Sequence, residues 1–266
     1  MKKLLLAVGA CALFVACSTN AVTGRTGVNF VKNDAIFPQA FTQYDEVLKS
    51  GQVETGTANA KLVATVGQRI QYAAEKFYAE KGISDQLKDY AWDFKLLKAD
   101  EVNAWCMPGG KVAVYTGILP ITQNENGLAV VMGHEIGHAL ANHSAEQMSQ
   151  QYGLNLLGSV VGSASTNTSW GAAFQQYYPV VGQVGLLSYS RKMELDADLT
   201  GLYLMAMAGY DPSEAIPFWQ RMSQGGSAGT AEFLSTHPSD ATRITKIQAA
   251  LPKALEYYNA SPYKGK

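Results

Sequence analysis

The chain has 266 residues, 47% hydrophobic and 16% charged, enough for one sizeable core with an appended helical layer. Lys and Arg number 21 against 22 Asp and Glu, a net charge of −1 with no long basic run, which excludes an electrostatic footprint for nucleic acid. Its 25 glycines are dispersed rather than periodic, which excludes collagen-like and solenoid architectures.

The chain opens on "MKKLLLAVGACALFVACSTN", with Lys2 and Lys3 ahead of an apolar run from Leu4 to Ala16. That run is well short of the roughly 20 residues a membrane span needs, so it reads as an export signal. Plain cleavage after Ala16 would set bulky Phe14 where a small residue is wanted. "FVAC" instead resembles a bacterial lipobox in which Cys17 receives the lipid, although Leu is usual at the Phe14 position. Ser18, rather than Asp, after the cysteine implies sorting to the outer membrane. With Cys11 removed and Cys17 lipidated, Cys106 is left without a disulfide framework and is expected to be packed rather than reactive. The expected organisation is therefore a signal over 1–16, a tether over 17–33, one domain over 34–252 and a tail over 253–266.

Amphipathic spacing predicts helices over 34–49 and 58–81, the second carrying Leu62, Val63, Val66, Ile70, Ala73 and Ala74 on one face. "YAWDFKLLKA" and "KVAVYTGIL" alternate as strands do, with "CMPGG" supplying a turn. A long helix follows over 125–151, with Asn124 as its N-cap. "GSVVGSASTNTSWGAA" reads as a binding loop or lid. A helix over 190–208 stops at Gly209, with Pro212 beyond it. "PSEAIPFWQRM" and "HPSDATRITKIQAAL" give two more helices, joined by the Gly-rich "GGSAGT". The fold class is α+β and mostly helical, with a small antiparallel sheet beside the long helix.

Three of the four histidines fall in "VVMGHEIGHALANH". On a helix, residues i and i+4 share a face, so His134 and His138 can both reach one zinc ion. Glu135 is rotated by about 100° and can act as general base on the water activated there, the H-E-x-x-H arrangement. Gly133 and Gly137 flank the motif where Ala would favour the helix by about 1 kcal/mol each, so something must approach the backbone closely, a bound peptide being one candidate. His143 is rotated about 140° from His138 if the helix continues, and reads as a helix-end or supporting histidine. Glu194 and Asp198 form a second i, i+4 pair in "SRKMELDADLTGLYLM", too apolar a setting for a solvated face. Glu194 is the candidate third ligand, and Asp198 the acceptor for the free N–H of a ligating histidine. His237, in "STHPSDATR", can stabilise an oxyanion or hold zinc at rest. Arg243 can support the same site by hydrogen bonding or by pairing with an acidic group.

"HEIGH", "ELDAD" and "THPSDATR", in that order, together with "VNAWCMPGGKVAVYTGIL", resemble the M48 metallopeptidases, a gluzincin family. The resemblance implies a zincin-like fold and a zinc-dependent endopeptidase with one Zn2+ per subunit. His134, His138 and Glu194 would be its ligands, Glu135 its base, and Asp198 the residue behind a ligand. With the lipobox, it points to the short outer-membrane lipoproteins, associated with protein quality control. The implied partners are unfolded or misassembled proteins, the outer membrane through the lipid, and its assembly machinery. A chaperone-like periplasmic lipoprotein with a latent zinc site is the alternative. If "KVAVYT" forms the sheet edge, substrate would add as a strand along Val112 and Val114, with Asn103 beside them.

Overall fold

The computed structural model describes residues 17–150, 189–224, 230, 233–235, 237 and 241–266. The expected signal, the Gly/Ser/Thr-rich stretch and nearly all of the Gly-rich link lie outside the described residues. Helix α1 spans Asn33–Ser50 and α2 spans Ala58–Glu80, close to the expected bounds. The side chain of Thr57 caps α2 by accepting from the Ala60 N–H, and Val63, Val66, Ile70 and Ala74 of α2 are buried at helical spacing.

Four strands form the main sheet: β3 (Val53–Glu54), β4 (Asp93–Leu97), β5 (Ala104–Met107) and β6 (Lys111–Tyr115), after a separate ribbon of β1 (Cys17–Thr19) and β2 (Thr26–Val28). The β5–β6 hairpin turns at Gly109 and Gly110, both at positive φ, where a side chain would strike Phe41 or Trp92. The order is β3-β4-β6-β5, and β4 runs parallel to β6, so the sheet is mixed rather than wholly antiparallel. Val112, Ala113 and Val114 are all fully buried. Such a continuous apolar run belongs at the centre of a sheet, with a neighbour on each side. β6 is therefore not an edge, and the expectation that Val112 and Val114 pair with substrate is overturned.

Helix α3 spans Glu125–Leu140, capped by Asn124 on the Gly127 N–H, and is buried throughout from Gly127. It does not continue unbroken to residue 151. The chain turns at Ala141 and Asn142, the latter at φ 56, a left-handed conformation that Asn tolerates, and a new helical stretch occupies 143–150. Helix α4 spans Arg191–Met207, with the Ser190 side chain accepting from the Met193 N–H; Gly209 at φ 88 follows its end.

Helices α3 and α4 cross backbone to backbone. A Cβ on Gly201 would lie 2.5 Å from the Gly133 carbonyl carbon and 2.6 Å from the His134 nitrogen, and one on Gly137 would lie 2.8 Å from the Ala197 oxygen. What approaches Gly133 and Gly137 is thus α4 rather than a bound peptide. Gly201→Ala is expected to destabilise the fold by about 1–3 kcal/mol through overpacking and to lower zinc content by moving Glu194 away from α3. Urea unfolding and metal analysis of the variant check this; wild-type values for both would refute the close crossing.

Helix α5 spans Ala215–Gln224, and α6 spans Ala241–Ala260. The expected tail from 253 is corrected, because α6 runs on through Pro252, buries Ala254, and is followed by Ser261 donating to the Met207 carbonyl at 2.7 Å. The expected tether is corrected as well. Residues 17–28 form an arm in which the β1–β2 ribbon presents buried Asn20 to α4, with Nδ2 3.0 Å from Asp196 Oδ2 and 2.9 Å from Thr200 Oγ1. The Thr23 hydroxyl donates to Asp196 Oδ1, and Arg25 forks onto Glu146 with both bonds at 2.8 Å. Polar partners 121 to 180 residues away in sequence, together with Ala21 and Val22 packed against the core, hold the arm in place. Among the described residues, no helix is long and apolar enough to cross a membrane.

Candidate metal centre

The turn spacing on α3 brings the Nε2 atoms of His134 and His138 to 3.1 Å of each other. Glu194 arrives from the first turn of α4, its Oε2 3.4 Å from His134 Nε2 and its Oε1 3.4 Å from His138 Nε2. Nδ1 of His237 completes the group, 3.3 Å from His134 Nε2 and 3.2 Å from Glu194 Oε1. The four donor atoms lie within 4.8 Å of one another and all four residues are buried. A tetrahedral zinc with ligands at 2.0–2.1 Å requires donor separations of about 3.3 Å, so the set fits that ion.

The far side of each histidine supports the same conclusion. His134 Nδ1 is 2.8 Å from Asp198 Oδ1, and His138 Nδ1 is 2.9 Å from Nδ1 of His143. Nδ1 is thus the donor on each ring, and each Nε2 is turned inward as a lone pair for a cation. Burial works against charge on His134, but the hydrogen bond and charge of Asp198, helped by Glu194, push it up to about 10. Burial would raise the Glu194 carboxyl, yet the charge of His237 and hydrogen bonds from the three histidines hold it well below the usual carboxylate range. Burial pushes His138 well below its ordinary value, leaving it neutral as a ligand must be.

Glu135 stands beside this cluster rather than in it. Its Oε1 lies 3.7 Å from Nε2 of His237. Oε1 is buried with no hydrogen-bond partner among the described residues, and burial raises the carboxyl. An orphaned acceptor of this kind is costly in a purely structural role and suits a group awaiting a water.

Arg243 of α6 ties the carboxylates together. Its Nε donates to Asp198 Oδ2 and its Nη2 to Glu194 Oε2, both at 2.6 Å, and the guanidinium lies 3.8 Å from the centroid of the Trp219 ring. Asp198 therefore stands behind His134, and Arg243 hydrogen-bonds both it and Glu194. His143 also supports a ligand, but for a different reason than helical phase. The break at Asn142 swings it back onto His138, and its Nε2 reaches Asp196 Oδ2 at 3.1 Å. Burial would raise Asp196, and hydrogen bonds from His143, Thr23 and Asn20 outweigh it and hold the carboxyl low.

Asp196, Trp219 and Tyr189, which stacks on His138 with centroids 4.0 Å apart, were not legible as site residues. Asp196 had a weak signal as the middle acid of "ELDAD", but it points away from Glu194 along the helix. Asn103 precedes β5, and its side chain serves its own strand, accepting from the Ala104 N–H and donating to Glu101. Cys17 is exposed and Cys106 is buried, its thiol pushed well above the ordinary range by burial, so Cys106 is packed and unreactive.

A mixed nitrogen and oxygen donor set at tetrahedral spacing, with an ionisable carboxylate beside it, can hold a zinc ion and take a proton from water; the fold and site define a metallopeptidase-type domain. Residues 65–251 match Peptidase family M48, and the chain belongs to that family. It is 38% identical to the mitochondrial metalloendopeptidase OMA1 of Schizosaccharomyces pombe over 63% of this chain and 49% of that protein. With the OMA1 of Saccharomyces cerevisiae it shares 30% identity over 98% of this chain and 77% of that protein. With the beta-barrel assembly-enhancing protease of Escherichia coli it shares 29% identity over 57% of this chain and 32% of the relative. The chain thus spans about half of the first relative and a third of the last.

Proposed function

We propose that the protein is an exported zinc endopeptidase, lipidated on Cys17 and held to the periplasmic face of the outer membrane, that cleaves unfolded or misassembled outer-membrane proteins. The observation that carries the catalytic part is the buried Glu135 Oε1, which has no hydrogen bond among the described residues, beside a tetrahedral donor set. The setting rests on the lipobox-like "FVAC" and on a relative whose name couples proteolysis to β-barrel assembly.

His134, His138 and Glu194 would hold the metal, with Asp198 and Arg243 fixing their orientation. Zinc bound there would acidify a water and polarise the scissile carbonyl. Glu135 is placed to take a proton from water and deliver it to the leaving amine. Nδ1 of His237 lies among the same donors, so His237 could either hold the ion or face the oxyanion. The sheet ends on β5 rather than β6, so a substrate strand would have to add along β5. Tyr115 N–H donates to the Asn103 carbonyl, so alternation along β5 turns the Ala104 carbonyl and the main-chain groups of Cys106 outward. Main-chain pairing there is tolerant of sequence, as unfolded substrates demand.

Chelation is expected to abolish cleavage of an unfolded protein such as reduced casein, and stoichiometric zinc to restore it. Cleavage that survives chelation would refute the zinc mechanism. A zinc-loaded chain that retains unfolded protein without cutting it would be the chaperone-like alternative. Cys17→Ser is expected to shift the protein from the membrane to the soluble fraction and to abolish palmitate labelling; unchanged fractionation would remove the anchor.

A further inference from the structure

The N-terminal arm and the ligand His138 lie at the two ends of one hydrogen-bonded chain. His138 turns Nε2 to the donor cluster, so its Nδ1 carries the proton and donates to Nδ1 of His143 at 2.9 Å. His143 then carries its own proton on Nε2, which donates to Asp196 Oδ2 at 3.1 Å. The direction is forced from the far end, because an ionised carboxylate only accepts. Asp196 is held from its other side by Asn20 and the Thr23 hydroxyl, with Arg25 Nη1 at 3.8 Å. Arg25 also grips Glu146, on the same helical stretch that His143 begins. His143 is fully buried, and Asn20 and Asp196 are each 4% exposed, so water does not substitute for these contacts.

The two ligating histidines are therefore supported unequally. His134 leans on Asp198, which Arg243 holds within the core. His138 leans, through His143 and Asp196, on a segment 176 residues before Asp196 in the chain. Asn20 stands three residues beyond Cys17, so this arm joins the N-terminal cysteine to a metal ligand.

We propose that the arm is a positioning element of the metal centre: Asn20 and Thr23 aim Asp196 at His143, which in turn sets the tautomer and ring plane of His138. The inference rests on the zinc endopeptidase reading. Its test is the full chain carrying Asn20→Ala with Thr23→Val, compared with wild type. Zinc affinity is measured by competition with a chromophoric chelator, the cobalt-substituted visible spectrum reports ligand geometry, and kcat and KM are taken on reduced casein. The expected result is a zinc Kd raised roughly 10–100-fold, an altered cobalt spectrum, and a lower kcat at unchanged KM. Thr23→Ser, which keeps the hydroxyl, is expected to behave as wild type. A lower unfolding temperature with wild-type zinc affinity, cobalt spectrum and kcat would overturn the proposal and leave the arm a structural strap. Should the double variant not fold, Thr23→Val alone removes one hydroxyl at nearly constant volume and decides the same question on the same readouts. A wild type that binds zinc but cleaves nothing would sink the endopeptidase reading alone, since zinc affinity and the cobalt spectrum still report on the arm.

Discussion

Glu135→Gln is expected to keep zinc bound at wild-type stoichiometry while lowering kcat by about 10²–10⁴-fold, the range that a general base contributes. The two halves of this result have separate origins in the structure. Zinc is retained because Glu135 is not among the converging donors, and its closest contact to them is the 3.7 Å approach of His237 to Oε1. Activity is lost because an amide of the same shape cannot accept the proton of the attacking water. Gln also relieves the burial of a charge, so the variant should unfold no more easily than wild type. Metal analysis and casein cleavage on the same preparation check it. A variant that loses its zinc would place Glu135 in the ligand set, and one that keeps full activity would remove it from catalysis.

The second large effect concerns stability. Arg243→Met is expected to destabilise the zinc-free protein by about 3–5 kcal/mol, the cost of leaving buried carboxylates without their partner. Asp198 and Glu194 both lose a 2.6 Å bond to the guanidinium, and neither is reached by water. The loss should be smaller with zinc bound, because the ion compensates Glu194 and leaves Asp198 as the main casualty. Arg243→Lys restores a charge but not the fork that spans two carboxylates, so it should recover only part of the stability. Urea unfolding of both variants with and without zinc decides the matter. A loss below about 1 kcal/mol in the zinc-free form would mean that the fork contributes little beyond a surface pair.

Local signals in this chain were strong wherever the governing interaction is short in sequence. The i, i+4 spacing of His134 and His138 fixes a shared helix face whatever the helix packs against. The same holds for Glu194 and Asp198, and for the cap Asn124 and the stop at Gly209. The apolar surroundings of "ELDAD" marked Glu194 and Asp198 as buried, and both are.

Phase arguments failed where the backbone departs from a regular helix or where a strand finds its neighbour. His143 looked remote from His138 on an unbroken helix, and one residue at positive φ, Asn142, reverses that relation. The alternation of "KVAVYT" identifies a strand but carries no information on whether it is an edge. Pairing with β4 on one side and β5 on the other placed it at the centre.

The candidate chemistry was legible in helical spacing alone: two imidazoles and a glutamate on one helix, and a carboxylate pair on another, each set by a period that needs no tertiary context. What holds those groups in register is a matter of packing. The Gly133–Gly201 crossing, the Arg243 fork and the docking of residues 17–28 on Asp196 join segments far apart in the chain, through close backbone approach and buried polar pairs. Such contacts leave no periodicity to read, because their partners are chosen by packing rather than by spacing. The stretch that looked like a tether is for that reason the part of the molecule that structure redefined most.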